Sequence, residues 1–228
     1  MLIFLDLETT GLESSDKICS IGIVAVSEDE IFSKYELVNE GKKISSKASS
    51  INHITNEMIK GKNALKESEA WKFLEKNNHE DITLIAHNIN FDLKMLLACG
   101  FVWQGKIIDT LRVTKHLIPE CEYFSLQFLR YELKLYKQES EITPHNALND
   151  AFLVKLLYEY LLDIATHEKL IELTHKKVVI EKFNFGKYSG RYIEEISMCD
   201  RGYLEWILAN ITDLDEDLKY SIKKHLPF

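Results

Sequence analysis

Phe4-Leu5-Asp6-Leu7-Glu8-Thr9-Thr10-Gly11-Leu12 decides how this 228-residue chain is read. It is an apolar strand that ends in two carboxylates one residue apart. Successive strand side chains alternate between faces, so Asp6 and Glu8 point one way and Leu5 and Leu7 the other, into apolar packing. Two like charges held side by side repel unless a cation sits between them. A divalent metal is the usual remedy, and hard carboxylate oxygens suit magnesium or manganese. The plain alternative is an acidic strand end facing water.

Outward from this stretch the pattern is that of an α/β protein. Residues 18–26 form a nearly continuous apolar run, residues 31–38 alternate, and the turn at 11–17 is short enough to join antiparallel neighbours. A polar loop is expected through Ser50. Helices are expected over 65–76, 91–98, 125–133 and 147–164, with Ala70, Trp71 and Leu74 on one face of the first, and short strands over 82–86 and 107–108. Asp109 stands where a helix N-cap belongs. Strands first, then alternating helix and strand, predict a mixed sheet flanked by helices. A polar, helical connector over 166–177 separates a first domain, 1–165, from a compact tail, 178–228. A tail of about 50 residues is small for independent stability, so it is expected to dock on the first domain.

Composition limits the partners. The net charge of -8 does not advertise nucleic-acid binding, so contacts to a polynucleotide must be local, with bound metal carrying part of the attraction. No apolar run approaches the roughly 20 residues of a membrane helix, and no membrane partner is expected. Residues 1–5 are apolar without a basic leader, and Asp6 interrupts them, so they read as a first strand and not as a signal peptide. Cys19, Cys99, Cys121 and Cys199 are widely spaced, which argues against a zinc site and fits a reducing, cytoplasmic location.

A third acid appears in Ala86-His87-Asn88-Ile89-Asn90-Phe91-Asp92, where a strand ends at His87 and Asp92 falls in the first turn of a helix. Favourable placement near a helix N-terminus explains Asp92 equally well when it is taken alone. His87 alone reads as a structural histidine. The fourth element is Pro144-His145-Asn146-Ala147-Leu148-Asn149-Asp150-Ala151, in which Pro144 favours a helix starting just after it. Five residues correspond to about 500° of helical rotation, so His145 and Asp150 do not share a face. His145 must reach the site from the loop or helix start, which suits a mobile base beside a rigid metal ligand. Taken alone, it is also an exposed histidine at a surface helix start.

Together these elements resemble the DEDDh branch of the DEDD (DnaQ-like) exonuclease superfamily, which includes the proofreading subunit of bacterial DNA polymerase III. The three motifs stand here as FLDLETTGL, HNINFDLKML and HNALNDA. Ile51-Asn52-His53-Ile54-Thr55 is similar to the family's short pre-helix motif. Ile108-Asp109-Thr110, Leu117-Ile118-Pro119 and Ser125-Leu126 resemble its linker between the second and third motifs. The resemblance covers residues 1–165. Many relatives have His-Gly where this chain has Asn52-His53, which puts a nucleotide contact there in doubt and leaves the metal ligands untouched. Phe185-Gly186-Lys187-Tyr188-Ser189-Gly190-Arg191 and the segment from Asp200 to Leu208 resemble the small C-terminal domain of exonuclease X-type proteins.

The resemblance implies a ribonuclease H-like α/β fold, a mixed β-sheet flanked by helices, with a small C-terminal α+β domain. It implies hydrolysis of the terminal phosphodiester at a 3′ end, releasing nucleoside 5′-monophosphates. Two divalent ions, Mg2+ or Mn2+, are expected. Asp6, Glu8 and Asp150 would hold one, and Asp6 would bridge to a second with Asp92. His145 would be the general base. Thr9 and Gly11 could approach the terminal sugar and phosphate through their backbone amides. Leu12 and Phe91 offer apolar surface to the last bases, and His87 and Asn88 are weaker candidates. DNA 3′ ends are the expected substrate, with single-stranded ends preferred and RNA or short oligoribonucleotides as the alternative. A non-catalytic binding module, or a proofreading subunit held by a DNA polymerase or repair partner, are the other readings. In the tail, Lys187, Arg191, Tyr188 and Trp206 could touch single-stranded nucleic acid. Against that, the helical spacing of Tyr203, Trp206 and Ile207 favours a small core.

Overall fold

The computed structural model describes residues 1–13, 15–28, 30–138, 145–183 and 185–226. Pro144, expected to favour the start of a helix, lies outside them. The chain forms two compact units, Met1–Thr174 and His175–Phe228.

In the first unit, β1 (Leu2–Thr9), β2 (Ile18–Val26) and β3 (Ile31–Leu37) make an antiparallel meander. Then α1 (Ser46–Asn52), α2 (Asn56–Ile59) and α3 (Glu69–Lys76) lead to β4 (Thr83–Ala86), α4 (Ile89–Ala98), β5 (Lys106–Asp109) and α5 (Thr110–Leu117). Next come α6 (Leu126–Glu132), the long α7 (Ala147–Leu162) and α8 (His167–His175). The sheet order is β3-β2-β1-β4-β5, with β4 and β5 parallel to β1. This is the mixed sheet flanked by helices that the pattern predicts.

Alternation along β1 builds two cores. Ile3, Leu5 and Leu7 pack with Ile21, Ile23, Trp71, Leu74 and Leu96 on one face. Phe4 packs on the other with Val24, Ile85, Ile108, Leu157 and Tyr158 of α7, its ring edge-on to Tyr158 at 5.5 Å. With helices on both faces, β2 is buried along almost its whole length, which is why it reads as a continuous apolar run.

The loop expected through Ser50 is in part helical. Ser45 caps α1 by accepting the Ala48 N–H. Ala48 then joins Ile44, Ile54, Ile59 and Cys19 in a small apolar cluster that pays for ordering so polar a segment. The connector expected over 166–177 also differs: most of α8 belongs to the first unit, with Leu170 and Leu173 in the α7 core. All four cysteines are free. Among the described residues, no helix is long and apolar enough to cross a membrane.

The second unit contains α9 (Ile193–Cys199), α10 (Arg201–Asn210) and α11 (Glu216–His225) around Phe183, Ile193, Leu204, Ile207, Leu218 and Ile222. Its strand character among the described residues is one bridge, Lys182 to Tyr192. Ile207 and Tyr203 face this core as expected. Trp206 does not: it is 56% exposed, because Leu204 and Ile207 define the inward face of α10 and turn the residue between them outward. The Gly186-Lys187-Tyr188 turn is held internally. Lys187 and Tyr188 both donate to Asp200, at 2.8 Å each, and a Cβ on Gly186 would lie 2.8 Å from the Tyr203 hydroxyl.

Candidate active site

β1 and α7 bring the first three carboxylates together. Leu2 and Phe4 point toward α7, and Asp6 and Glu8 continue that face toward the end of the strand. On α7 the buried stripe runs Ala147, Asp150, Ala151, Val154, Leu157, Tyr158 and Leu161, so Asp150 is carried inward at the stripe's first turn. Gly22 sets how close the helix comes. It pairs with Asp6 across the β1–β2 ladder, and any Cβ there would lie 2.1 Å from the Ala147 carbonyl carbon. The sequence reading passed over Gly22, although a lone glycine inside a strand is the signal of a close backbone approach.

Asp92 arrives from β4, which lies parallel beside β1. The turn into α4 is made by Asn88 at φ 69, whose N–H donates to Asp109 Oδ1 at 3.0 Å. The same oxygen accepts the Leu111 and Arg112 N–H groups, so Asp109 is the N-cap of α5 and ties two strand ends together. From the first turn of α4, the Asp92 carboxylate faces the backbone N–H of Leu7, between Asp6 and Glu8, which favours its charged form. His87 is spent inside the protein. Its Nε2 donates to the Phe124 carbonyl at 2.8 Å, its Nδ1 lies 3.0 Å from Thr110 Oγ1, and burial lowers its pKa to about 4.

Crowding of acids dominates the electrostatics. Burial, then the charges of Asp92, Asp150 and Glu8, push Asp6 well above the ordinary carboxylate range. Burial and the nearby Asp109 do the same to Asp92, against the backbone N–H groups of Asp92 itself and of Leu7. Glu8 is raised to about 7 by burial and by Asp150. Asp150 is raised by burial to about 6, opposed by His145 and by a hydrogen bond from Gln127. Oxygens of Glu8 and Asp150 and a ring nitrogen of His145 all lie within 4.8 Å of one another. Such a donor set suits a divalent cation.

His145 is exposed at the helix start, with φ 59, and its ring sits edge-on to His53 at a centroid distance of 6.3 Å. His53 is itself at φ 58. Together with Asn88, three of the four non-glycine residues with positive φ among the described ones stand on segments that build this site, where such strain tends to collect. Asn52 is buried and structural: its amide donates to the Thr9 carbonyl at 3.2 Å and its Oδ1 accepts the Ile54 N–H at 3.0 Å.

Beside Glu8 opens a cavity of ≈ 390 Å³ lined by residues 9–13, Asp16, Lys42, Lys43, Lys47 and Ile51 among others. Leu12 is 76% exposed on its wall, and Thr9 and Gly11 also line it. Phe91 does not line this cavity and is half-buried against the core that α3 and α4 share. Asp16, missed in the sequence, anchors the loop. It accepts from Thr10 at 2.7 Å and from the Glu13 N–H at 2.8 Å, and it pairs with Lys42 at 2.7 Å. Lys43 and Lys47 give this acidic chain a local positive wall, and no motif marks them.

Known proteins share this architecture. A family model described as Exodeoxyribonuclease X-like C-terminal matches residues 183–212. The chain is 25% identical to Exodeoxyribonuclease 10 of Escherichia coli (strain K12), over 99% of each protein. It is 35% identical to the PolC-type DNA polymerase III of Thermotoga maritima over 158 residues, which is 65% of this chain and 11% of that one. The solved structure of exonuclease X in complex with 5′-overhanging duplex DNA aligns with a TM-score of 0.62 and 25% identity, covering 76% of this chain and 99% of the other. The model described as Exonuclease (RNase_T) matches residues 3–158, a span that holds all four carboxylates and His145, and the chain belongs to this exonuclease family.

Proposed function

We propose that this exonuclease removes nucleotides from the 3′ ends of DNA, preferring single strands, and releases nucleoside 5′-monophosphates. The observation that carries the reading is the convergence of Asp6, Glu8, Asp92 and Asp150, with His145 at the edge of the same site. A binding module has no use for four acids, two buried and two half-buried, and a histidine in one place, since crowding them together is costly. Similarity along the whole chain to an exodeoxyribonuclease supports DNA over RNA.

The residues fit two divalent ions, Mg2+ or Mn2+. Hard oxygens converge, and burial together with their mutual repulsion raises their pKa values. When bound, such ions supply the Lewis acidity that makes water a nucleophile and stabilises the leaving 3′ oxygen. Asp6, Glu8 and Asp150 would hold one ion, and Asp6 with Asp92 the other. His145 accepts the proton of the attacking water. Leu12 meets the terminal bases, Thr9 and Gly11 approach the last sugar and phosphate, and Lys43 and Lys47 hold phosphates upstream. Asn88 and Phe91 border the site from α4. His87, with both ring nitrogens engaged, takes no part in substrate contact. Likeness to part of a PolC-type polymerase fits service beside a DNA polymerase or in repair. The free thiols fit the cytoplasm.

The reading is tested by giving the protein 5′-labelled single-stranded DNA, duplex DNA and RNA of one sequence with Mn2+, and identifying the released products. Stepwise shortening from the 3′ end, fastest on single-stranded DNA and yielding 5′-monophosphates, is expected. Faster shortening of RNA would assign the site to RNA, and internal cleavage would overturn the exonuclease polarity.

A further inference from the structure

Behind Asp150, α6 presents a half-buried glutamine and a buried arginine that have so far been given no role. Gln127 Nε2 donates to Asp150 Oδ1 at 2.8 Å. A carboxylate only accepts, so the amide nitrogen must face it, and Gln127 Oε1 is left buried without a partner among the described residues. One turn further along the same helix, Arg130 is 4% exposed, and its Nε also has no hydrogen-bond partner among them. A buried guanidinium is ordinarily matched by a carboxylate in direct contact. Here its charge acts on Asp150, with no such pair among the described residues. Two incompletely satisfied polar groups on one face of a short helix are costly. Both stand behind an inward-facing metal-ligand candidate.

We propose that Gln127 is a positioning residue that holds the Asp150 carboxylate in the orientation a metal ion requires, and that the buried Arg130, one turn along α6, is the counter-charge of Asp150. The two act in opposite directions on metal affinity. The Gln127 hydrogen bond prevents Asp150 from turning away, so losing it weakens binding. The Arg130 charge lowers the negative potential that attracts a cation, so losing it strengthens binding while making the metal-free protein harder to fold. Residues that merely filled space would weaken binding alike when replaced.

The inference rests on the reading of Asp150 as a metal ligand, and the experiment separates the two. Mn2+ binding to the full chain is measured by calorimetry for wild type, Asp150→Asn, Gln127→Leu and Arg130→Met, with thermal melts to establish folding. Gln127→Leu, similar in size but unable to donate, should bind Mn2+ about 10–100-fold more weakly, the usual effect of removing a hydrogen bond to a ligand. Arg130→Met should bind several-fold more tightly and melt lower without metal. If Gln127→Leu does not fold, Gln127→Met takes its place, and Arg130→Lys, which keeps the charge, should restore affinity toward wild type. Wild-type affinity in Gln127→Leu overturns the positioning role, and weaker binding in Arg130→Met overturns the counter-charge. If Asp150→Asn binds as wild type does, the ligand reading itself falls.

Discussion

A Cβ on Gly22 would lie 2.1 Å from the carbonyl carbon of Ala147, so the first turn of α7 rests directly on the β2 backbone. Gly22 is also the cross-strand partner of Asp6. One missing side chain therefore sets the gap between the strand that carries Asp6 and Glu8 and the helix that carries Asp150. Gly22→Ala should push α7 away, costing about 2–3 kcal/mol of stability by overpacking and weakening Mn2+ binding. Urea denaturation and calorimetry measure both. A variant as stable as wild type would show that the close approach is not required.

The raised carboxylates make metal binding compete with protons. Glu8 at about 7 and Asp150 at about 6 lie above their unfolded values. Between about pH 4 and about pH 7 the folded, metal-free protein thus keeps protons that the unfolded chain has lost. Its stability from these groups is greatest below that window and is lost as the pH rises through it. A divalent ion relieves the repulsion. The rise in melting temperature on saturation with Mn2+ should therefore be larger at pH 8 than at pH 5. An equal rise at both would contradict the shifts.

His145 is exposed, held at φ 59 at the start of α7, and is assigned the proton and not the fold. His145→Gln should lower kcat by about 10²–10⁴-fold, the usual contribution of a general base. Mn2+ affinity should change little by comparison. A variant with undiminished kcat would remove His145 from the chemistry.

Lys43 and Lys47 line the cavity beside Glu8 in a chain of net charge -8. Replacing both by Ala should raise KM for single-stranded DNA and leave kcat nearly unchanged. The logarithmic dependence of binding on salt should flatten by roughly one for each lost phosphate contact. An unchanged salt slope would place the phosphates elsewhere.

Residues 1–174 contain the whole candidate site and both cores of the first unit. A chain ending after Thr174, whose side chain and carbonyl accept from Asp109 and Arg112, should retain Mn2+ binding and metal-dependent hydrolysis. Loss of Mn2+ binding in a folded truncation would tie the second unit to the site.

Much of this was legible in the chain because period and spacing carry it. Strand alternation put Asp6 and Glu8 on one face, and the rotation between His145 and Asp150 put the histidine at the helix start and the acid within α7. Asp109 was read as a cap and is one. What escaped depends on contacts between distant segments. Gly22 sat inside an apolar run and looked like packing. Gln127 and Arg130 acquire meaning only when α6 meets α7. The helix Ser46–Asn52 is too polar to announce itself, since its stability comes from one serine cap and a cluster drawn from several segments. Trp206 shared a helical spacing with Tyr203 yet turned outward, because three-residue spacing alone does not say which of two neighbouring stripes is buried.

The most direct test of the account compares wild type with Asp6→Ala on 5′-labelled single-stranded DNA, with and without Mn2+. The account predicts a ladder shortening from the 3′ end that requires both the metal and Asp6. Shortening that persists without metal or in Asp6→Ala, or no shortening in wild type with either Mg2+ or Mn2+, would contradict it.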